Sequence, residues 1–149
     1  MVQFIAAYYS LGGDIMLIST KGRYALRMVI ALAKLEDLRK SPISLKDIAE
    51  AECVSMKYLE QLARCLSAAD IITSVRGKYG GYRLAHPAEE ITAGDILRAA
   101  EGSTAPVSCL EGGAECPRES VCTTVSFWRG LDSVIEQYID NVSLSELLK

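Results

Sequence analysis

The sequence predicts a mainly α-helical fold with a small β-hairpin wing, a winged helix-turn-helix continued by a long C-terminal helix. Three observations predict it. Two short amphipathic stretches flank a tight turn between Ser44 and Leu66. Two β-type runs joined by a basic, Gly-rich turn follow them directly. Near the C-terminus, apolar residues recur every three or four positions over a long run, the spacing of one helix face.

A chain of 149 residues fits one compact domain, and a 50% hydrophobic content is enough to build a core. The formal net charge of −3 excludes a generally basic coat. It does not exclude nucleic acid, because the local field decides binding. Met1–Ile15 is apolar and aromatic, with no basic leader and no cleavage site, and it is too short to cross a membrane. Gly12-Gly13-Asp14-Ile15-Met16 reads like a ribosome-binding site translated in frame before a start at Met16. Residues 1–15 are therefore expected to be a non-native or disordered extension; the other reading is a genuine extension that packs on a partner.

The first helix is expected from Thr20 to Leu38, with Tyr24, Met28, Ala31, Leu32 and Leu35 on its apolar side and Lys21, Arg23 and Arg27 on the other. Arg39-Lys40-Ser41-Pro42 ends it. Ser44, with Asp47 three positions on, opens a short helix whose apolar positions are Leu45, Ile48 and Ala49. After a turn at residues 52–54, Ser55 caps a third helix that turns Leu59, Leu62, Ala63 and Leu66 inward. A helix pair of this kind is the helix-turn-helix pattern, although many helical bundles contain one. Residues 71–75 read as a strand and Tyr82-Arg83-Leu84 as its return, around Arg76-Gly77-Lys78-Tyr79-Gly80-Gly81. A hairpin in this place makes the pair a winged helix. Thr92 and Asp95 cap a helix that runs to Glu101, and a long helix is expected from Ser120 to Asn141. Its seam is Val121, Val125, Trp128, Leu131, Ile135, Tyr138 and Val142, suited to packing within the chain or across a two-fold axis. Ser143 and Glu146 cap a last short helix through Leu148.

Five cysteines fall into two groups. Cys53 and Cys65 sit at apolar-periodic positions and are expected to pack as small hydrophobes. Cys109, Cys116 and Cys122 lie among Glu, Gly, Pro and Ser, where packing explains them poorly. Three soft donors on a short Gly-containing segment suit a metal centre. A disulfide would leave an odd thiol, and the absence of a convincing secretory signal favours a reducing cytosol. Structural zinc is possible, but the usual paired C-x-x-C is missing.

Ser19-Thr20-Lys21-Gly22-Arg23-Tyr24-Ala25-Leu26, Tyr58-Leu59-Glu60-Gln61-Leu62, Val75-Arg76-Gly77 and Gly80-Gly81-Tyr82 together resemble the Rrf-type bacterial transcriptional regulators. The likeness continues through Ile91-Thr92-Ala93-Gly94-Asp95-Ile96, Trp128-Arg129 and Asn141-Val142-Ser143-Leu144, and so covers residues 16–149. The family has IscR-like, NsrR-like and CymR-like branches. The resemblance implies a homodimeric winged-helix protein that binds double-stranded DNA, acts in the cytoplasm away from membranes and is not an enzyme. It divides the chain into a DNA-binding domain at residues 16–90 and a sensor loop with dimerisation helix at residues 91–149.

The resemblance also assigns roles. Glu60 becomes a base reader, able to accept from cytosine N4, and Arg76 is placed at the minor groove. Lys21, Ser55, Lys57, Tyr58, Gln61 and Lys78 become further DNA contacts, each with an ordinary alternative as a capping or solvated residue. Cys109, Cys116 and Cys122 become ligands of an iron–sulfur cluster, 2Fe-2S or 4Fe-4S, with the fourth ligand unassigned. In the IscR-like branch that ligand is a histidine at the position of Val125, and in the NsrR-like branch an aspartate at the position of Arg23. The first cysteine gap is one residue longer than in the family. His86, the one histidine, lies after the wing, away from the cysteine loop. The function implied is a regulator that senses cluster, redox or nitric oxide status. The alternatives are a cluster-free regulator of cysteine metabolism controlled by thiols or a partner, and a small metal-binding redox protein. The last is disfavoured because no catalytic base, phosphate loop or cofactor fingerprint is present.

Overall fold

The computed structural model describes residues 18–111 and 116–149. The expectations for residues 1–15 and for a start at Met16 lie outside them.

Helix α1 spans Thr20–Arg39 and begins where the Ser19 hydroxyl accepts the Lys21 N–H. It ends at Lys40, whose left-handed backbone (φ 54°) turns the chain away. Its buried side, with Ala25, Met28, Val29 and Leu32, makes α1 the central element of the core. Helix α2, Leu45–Glu52, opens with a reciprocal capping box between Ser44 and Asp47. The Ser44 hydroxyl, helped by Arg39 at 2.9 Å, holds the Asp47 carboxyl below the ordinary carboxylate range. Helix α3, Met56–Ala68, starts where Ser55 accepts the Tyr58 N–H, and it buries Leu59, Leu62, Ala63 and Leu66 as expected.

The turn between α2 and α3 corrects one expectation. Cys53 is not a packed hydrophobe: it is exposed and occupies the left-handed cap of α2, with φ 53°. Its place in the apolar period is overruled because the helix has already ended there, and the backbone reversal swings the side chain outward. Cys65 is half-buried on α3.

Strands β1 (Ile72–Val75) and β2 (Gly81–Leu84) pair antiparallel, Ile72 opposite Leu84 and Val75 opposite Gly81. The hairpin is pinned to the α1–α2 link. Ile43 and Tyr82 exchange N–H···O bonds of 2.9 and 2.8 Å. A Cβ on Gly81 would run into the Ile43 backbone, which explains a glycine there. Gly77, at φ 120°, turns the tip.

Helix α4, Ala93–Glu101, carries a second reciprocal box, Thr92 with Asp95. Two short 3-10 turns, Ser108–Leu110 and Glu119–Val121, bracket the cysteine segment. Helix α5 spans Val125–Asp140, starting five residues later than the expected Ser120. The apolar period reaches back to Val121, but that stretch folds as the separate tighter turn, which leaves Cys122 on the link between turn and helix. Helix α6, Leu144–Leu147, returns to the core, where the Leu144 N–H meets the Ile91 carbonyl at 2.7 Å. Ile91, Ile96 and Leu144 share one apolar cluster with α1, α2 and α3.

The expected seam of α5 divides: Trp128 and Ile135 are half-buried, while Tyr138 lies outward with Phe127 and Val134, which the expectation did not include. Ile139 is buried, and Glu136 and Asp140 reach Arg98 on α4, so the side of Trp128 and Ile135 faces the chain itself. Phe127, Val134 and Tyr138 form the outer side and are 63%, 63% and 71% exposed. Their seven-then-four spacing is that of a coiled-coil stripe. Among the described residues, no helix is long and apolar enough to cross a membrane.

Candidate functional site

Two groups of side chains concern function. The first is the outer face of the helix-turn-helix and the wing. Lys57, Glu60 and Gln61 are all exposed on the side of α3 opposite its buried leucines. Ser55 uses its oxygen to cap α3, which leaves the hydroxyl hydrogen free to donate outward. Tyr58 differs in kind. It is half-buried, and its ring packs edge-on against Tyr24 at 5.8 Å, locking the first turn of α3 to α1. Lys21 lies one turn before Tyr24 on α1.

At the wing, Arg76 and Lys78 are exposed, and the Lys78 ammonium lies 5.5 Å from the Tyr79 ring. Tyr79, 80% exposed at the tip, was not singled out by sequence; an aromatic held between glycines was the available signal.

Ion pairing separates the cations. Arg27 is held by Glu52 at 2.7 Å, Arg39 by Asp47, Arg83 by Glu36 and Arg98 by Glu136 and Asp140. Among the described residues, Lys21, Lys57, Arg76 and Lys78 have no carboxylate within ion-pairing distance. The cations left free thus include four of the predicted contacts.

The second group is the cysteine segment. Cys109 is exposed within the first 3-10 turn, while Cys116 and Cys122 are half-buried on either side of the second. The Thr124 hydroxyl, 3.5 Å from the Cys122 sulfur, and then the backbone N–H groups of Thr124 and Val125 lower the Cys122 thiol below its ordinary value. Cys116 shares a shallow pocket with Glu119, Ser120, Val125 and Arg129, bounded by the Arg129–Glu119 ion pair.

Three thiols, one of them biased toward thiolate, match an iron–sulfur cluster in donor chemistry. The described residues do not gather them: no three His, Cys, Asp or Glu side chains stand close enough to hold a metal ion. His86 is engaged elsewhere, with Asp70 at 2.7 Å.

Helix α4 joins the two groups through Arg98, which the sequence reading passed over, and Glu101, which it read only as the helix end. Arg98 reaches Asp140 at 2.5 Å and Glu136 at 2.7 Å on α5. Thr104, at the root of the cysteine segment, also donates to Glu136. One turn after Arg98, Glu101 accepts from the N–H groups of Ser19 and Gly22, both at 2.8 Å, and from the Ser19 hydroxyl. Only contacts between distant residues reveal this link.

Comparison with known proteins agrees with this architecture. The family model described as "Rrf2: Iron-dependent Transcriptional regulator" matches residues 18–149. The protein rrf2 of Nitratidesulfovibrio vulgaris is 40% identical over 90% of this chain and 88% of its own. The solved structure of CymR, the global cysteine regulator of B. subtilis, is 41% identical, with a TM-score of 0.69 over 87% of this chain and 94% of that one. IscR of T. potens is 36% identical, with a TM-score of 0.68 over 87% of this chain and 84% of that one. The helix-turn-helix, its pinned wing and these likenesses lead to one assignment: the chain belongs to the Rrf2 family of DNA-binding transcriptional regulators, proteins that are not enzymes.

Proposed function

We propose that this regulator acts in the cytosol as a homodimer whose hold on DNA follows the state of an iron–sulfur cluster bound by Cys109, Cys116 and Cys122. The observation that carries this reading is the position of the thiols. They lie on the chain segment that connects α4, which grips α1 beside the reading helix, to α5, whose outer apolar stripe suits a second copy. A cluster, 2Fe-2S or 4Fe-4S, would supply a redox- and ligand-sensitive centre at that link. Val125 opens α5 where a branch of the family carries a histidine, so this chain completes its fourth position differently. The donor is unassigned.

On the DNA side, α3 enters a major groove, with Glu60 and Gln61 at base edges and Lys57, Tyr58 and Ser55 at their flanks. Arg76 and Lys78 carry the wing to the backbone and minor groove, and Lys21 adds a phosphate contact from α1. Two-fold symmetry then calls for a roughly palindromic operator. When the thiol segment changes shape it pulls on α4 and α5 together, which shifts the population of dimers with correctly spaced reading helices.

The second reading is a cluster-free regulator controlled by thiol oxidation or by a partner. The likeness to CymR favours it. Purification without oxygen, with iron and sulfide assays and a visible spectrum, separates the two. Charge-transfer absorption that is lost in Cys109→Ser, Cys116→Ser and Cys122→Ser but kept in Cys65→Ser supports the cluster. A colourless protein after anaerobic reconstitution with iron and sulfide refutes it.

A further inference from the structure

We infer that Glu101 is a positioning residue for the DNA interface: its carboxylate holds the first turn of α1, and with it Lys21, in the orientation that meets the duplex backbone. The inference rests on the DNA-contact reading above. It begins with an unusual cap. The first N–H groups of a helix have no partner inside the helix and need one outside it. In α1 the Ser19 hydroxyl serves the Lys21 N–H, as sequence would suggest. The Gly22 N–H is served instead by Glu101, 79 residues away, at 2.8 Å. The same carboxylate takes the Ser19 N–H at 2.8 Å and the Ser19 hydroxyl at 2.8 and 3.0 Å to its two oxygens. One side chain therefore fixes the residues on both sides of Lys21.

The fit depends on a glycine. A Cβ at position 22 would fall on the Glu101 carboxylate, so the close approach exists because Gly22 has none. A carboxylate also complements the positive end of the α1 dipole. The turn it holds faces the reading helix: Tyr24, three residues after Lys21, packs on Tyr58 at the start of α3. Lys21 has no carboxylate partner of its own among the described residues, so its ammonium is free to meet a phosphate. Glu101 is the last residue of α4, and the chain leaves it directly for the cysteine segment. A change in that segment reaches the DNA face through this contact without crossing the core.

A double-mutant cycle on the full chain tests the inference, read as affinity for a short mixed-sequence duplex across a salt series. Lys21→Ala in the native background should weaken binding several-fold and reduce the salt slope by about one ion. Two backgrounds should remove that effect. Glu101→Ala deletes the acceptor that serves Ser19 and Gly22. Gly22→Ala keeps the charge but displaces the carboxylate, and the displaced group is the flexible end of a side chain, so this variant should fold. In either background Lys21→Ala should change affinity less than about twofold.

A merely structural cap would lower stability in these backgrounds and leave the Lys21 effect intact; that result overturns the inference. Arg76→Ala is the control. If Arg76→Ala weakens binding while Lys21→Ala does not, only the role given to Glu101 fails. If neither weakens it, the DNA-contact reading itself fails.

Discussion

Replacing Arg98 by alanine should destabilise the chain measurably and in a pH-dependent way. Arg98 lies 2.5 Å from Asp140, 2.7 Å from Glu136 and 3.6 Å from Asp95. Hydrogen bonds to charged groups contribute about 1.5–3 kcal/mol each when sheltered. The side chain of Arg98 is 33% exposed and those of Glu136 and Asp140 are 34% and 47% exposed. Solvent screening then brings the two close contacts together to about 2–3 kcal/mol. For a chain of this size that is a fall in Tm of about 5–10 °C at fixed protein concentration.

The pH dependence has a definite sign. Burial works against charge at Asp95, but the Thr92 cap bonds and Arg98 outweigh it and leave the carboxyl below its ordinary value. A carboxylate lowered by folding adds stability above its unfolded value of about 3.9 and loses it as pH falls through the folded value. The native protein should therefore shed this contribution below about pH 4, and Arg98→Ala, which has lost part of it, should fall less steeply. Urea unfolding at neutral pH and at pH values below the carboxylate range measures both. Arg98→Met separates charge from packing: a clamp made only of stem contacts would survive in it. A variant within about 0.5 kcal/mol of native at neutral pH would refute the reasoning, as would a gap that stays constant under acid.

Gly81→Ala should disturb the wing more than the core, because the new methyl meets the Ile43 backbone. Weakened duplex binding with a cooperative unfolding transition retained is the expected result, and unchanged binding would count against a pinned wing. Thr124→Val should slow alkylation of Cys122 at neutral pH, since it deletes the hydroxyl that most lowers the thiol. Peptide mapping after a timed iodoacetamide pulse on metal-free protein reads this, and an unchanged rate would remove the hydroxyl's role. Tyr138→Glu should dissociate the proposed dimer in analytical ultracentrifugation while helix content persists, because the side chain is 71% exposed in the single chain; a dimer that survives would place the interface elsewhere.

What could be read from sequence follows from the range of the interactions. Ser44, Ser55 and Thr92 announced their helices because a cap is a contact over two or three residues. The wing was legible from its β-type runs and the glycines of its turn for the same reason. Local reading failed where two local rules compete or where the partner is distant. Cys53 obeyed an apolar period but fell one residue past the helix end. Val121 extended a helical period that the chain interrupts with a 3-10 turn. Periodicity could not say which side of α5 faces inward; Arg98 decides that from α4. The Glu101 contact with Ser19 and Gly22 spans about the whole winged helix, and no spacing rule reaches it. For the three loop cysteines, residue type states the chemistry, but their geometry depends on a segment of which residues 112–115 lie outside the described part.

An acidic regulator must still attract a polyanion, and the distribution of its charges shows how. The chain has 19 Asp and Glu against 16 Lys and Arg, so the sum is unfavourable. Several of its acids are occupied in clamps, however. Glu52 holds Arg27, Asp47 holds Arg39, Glu36 holds Arg83, and Glu136 with Asp140 holds Arg98. Each clamp ties two elements together, and the four remove five acids and four bases from the field. What remains around α3 and the wing is enriched in unpaired cations, and DNA responds to that local field within about a Debye length, some 10 Å at moderate salt. Glu60 is the exception, an exposed carboxylate on the side of α3 away from its buried leucines. It would repel phosphate wherever the protein landed, so its presence makes sense if it meets a donor on a base edge. A carboxylate in that place weakens binding to every sequence and spares the one that offers it a partner, which is how a weak net field becomes selective.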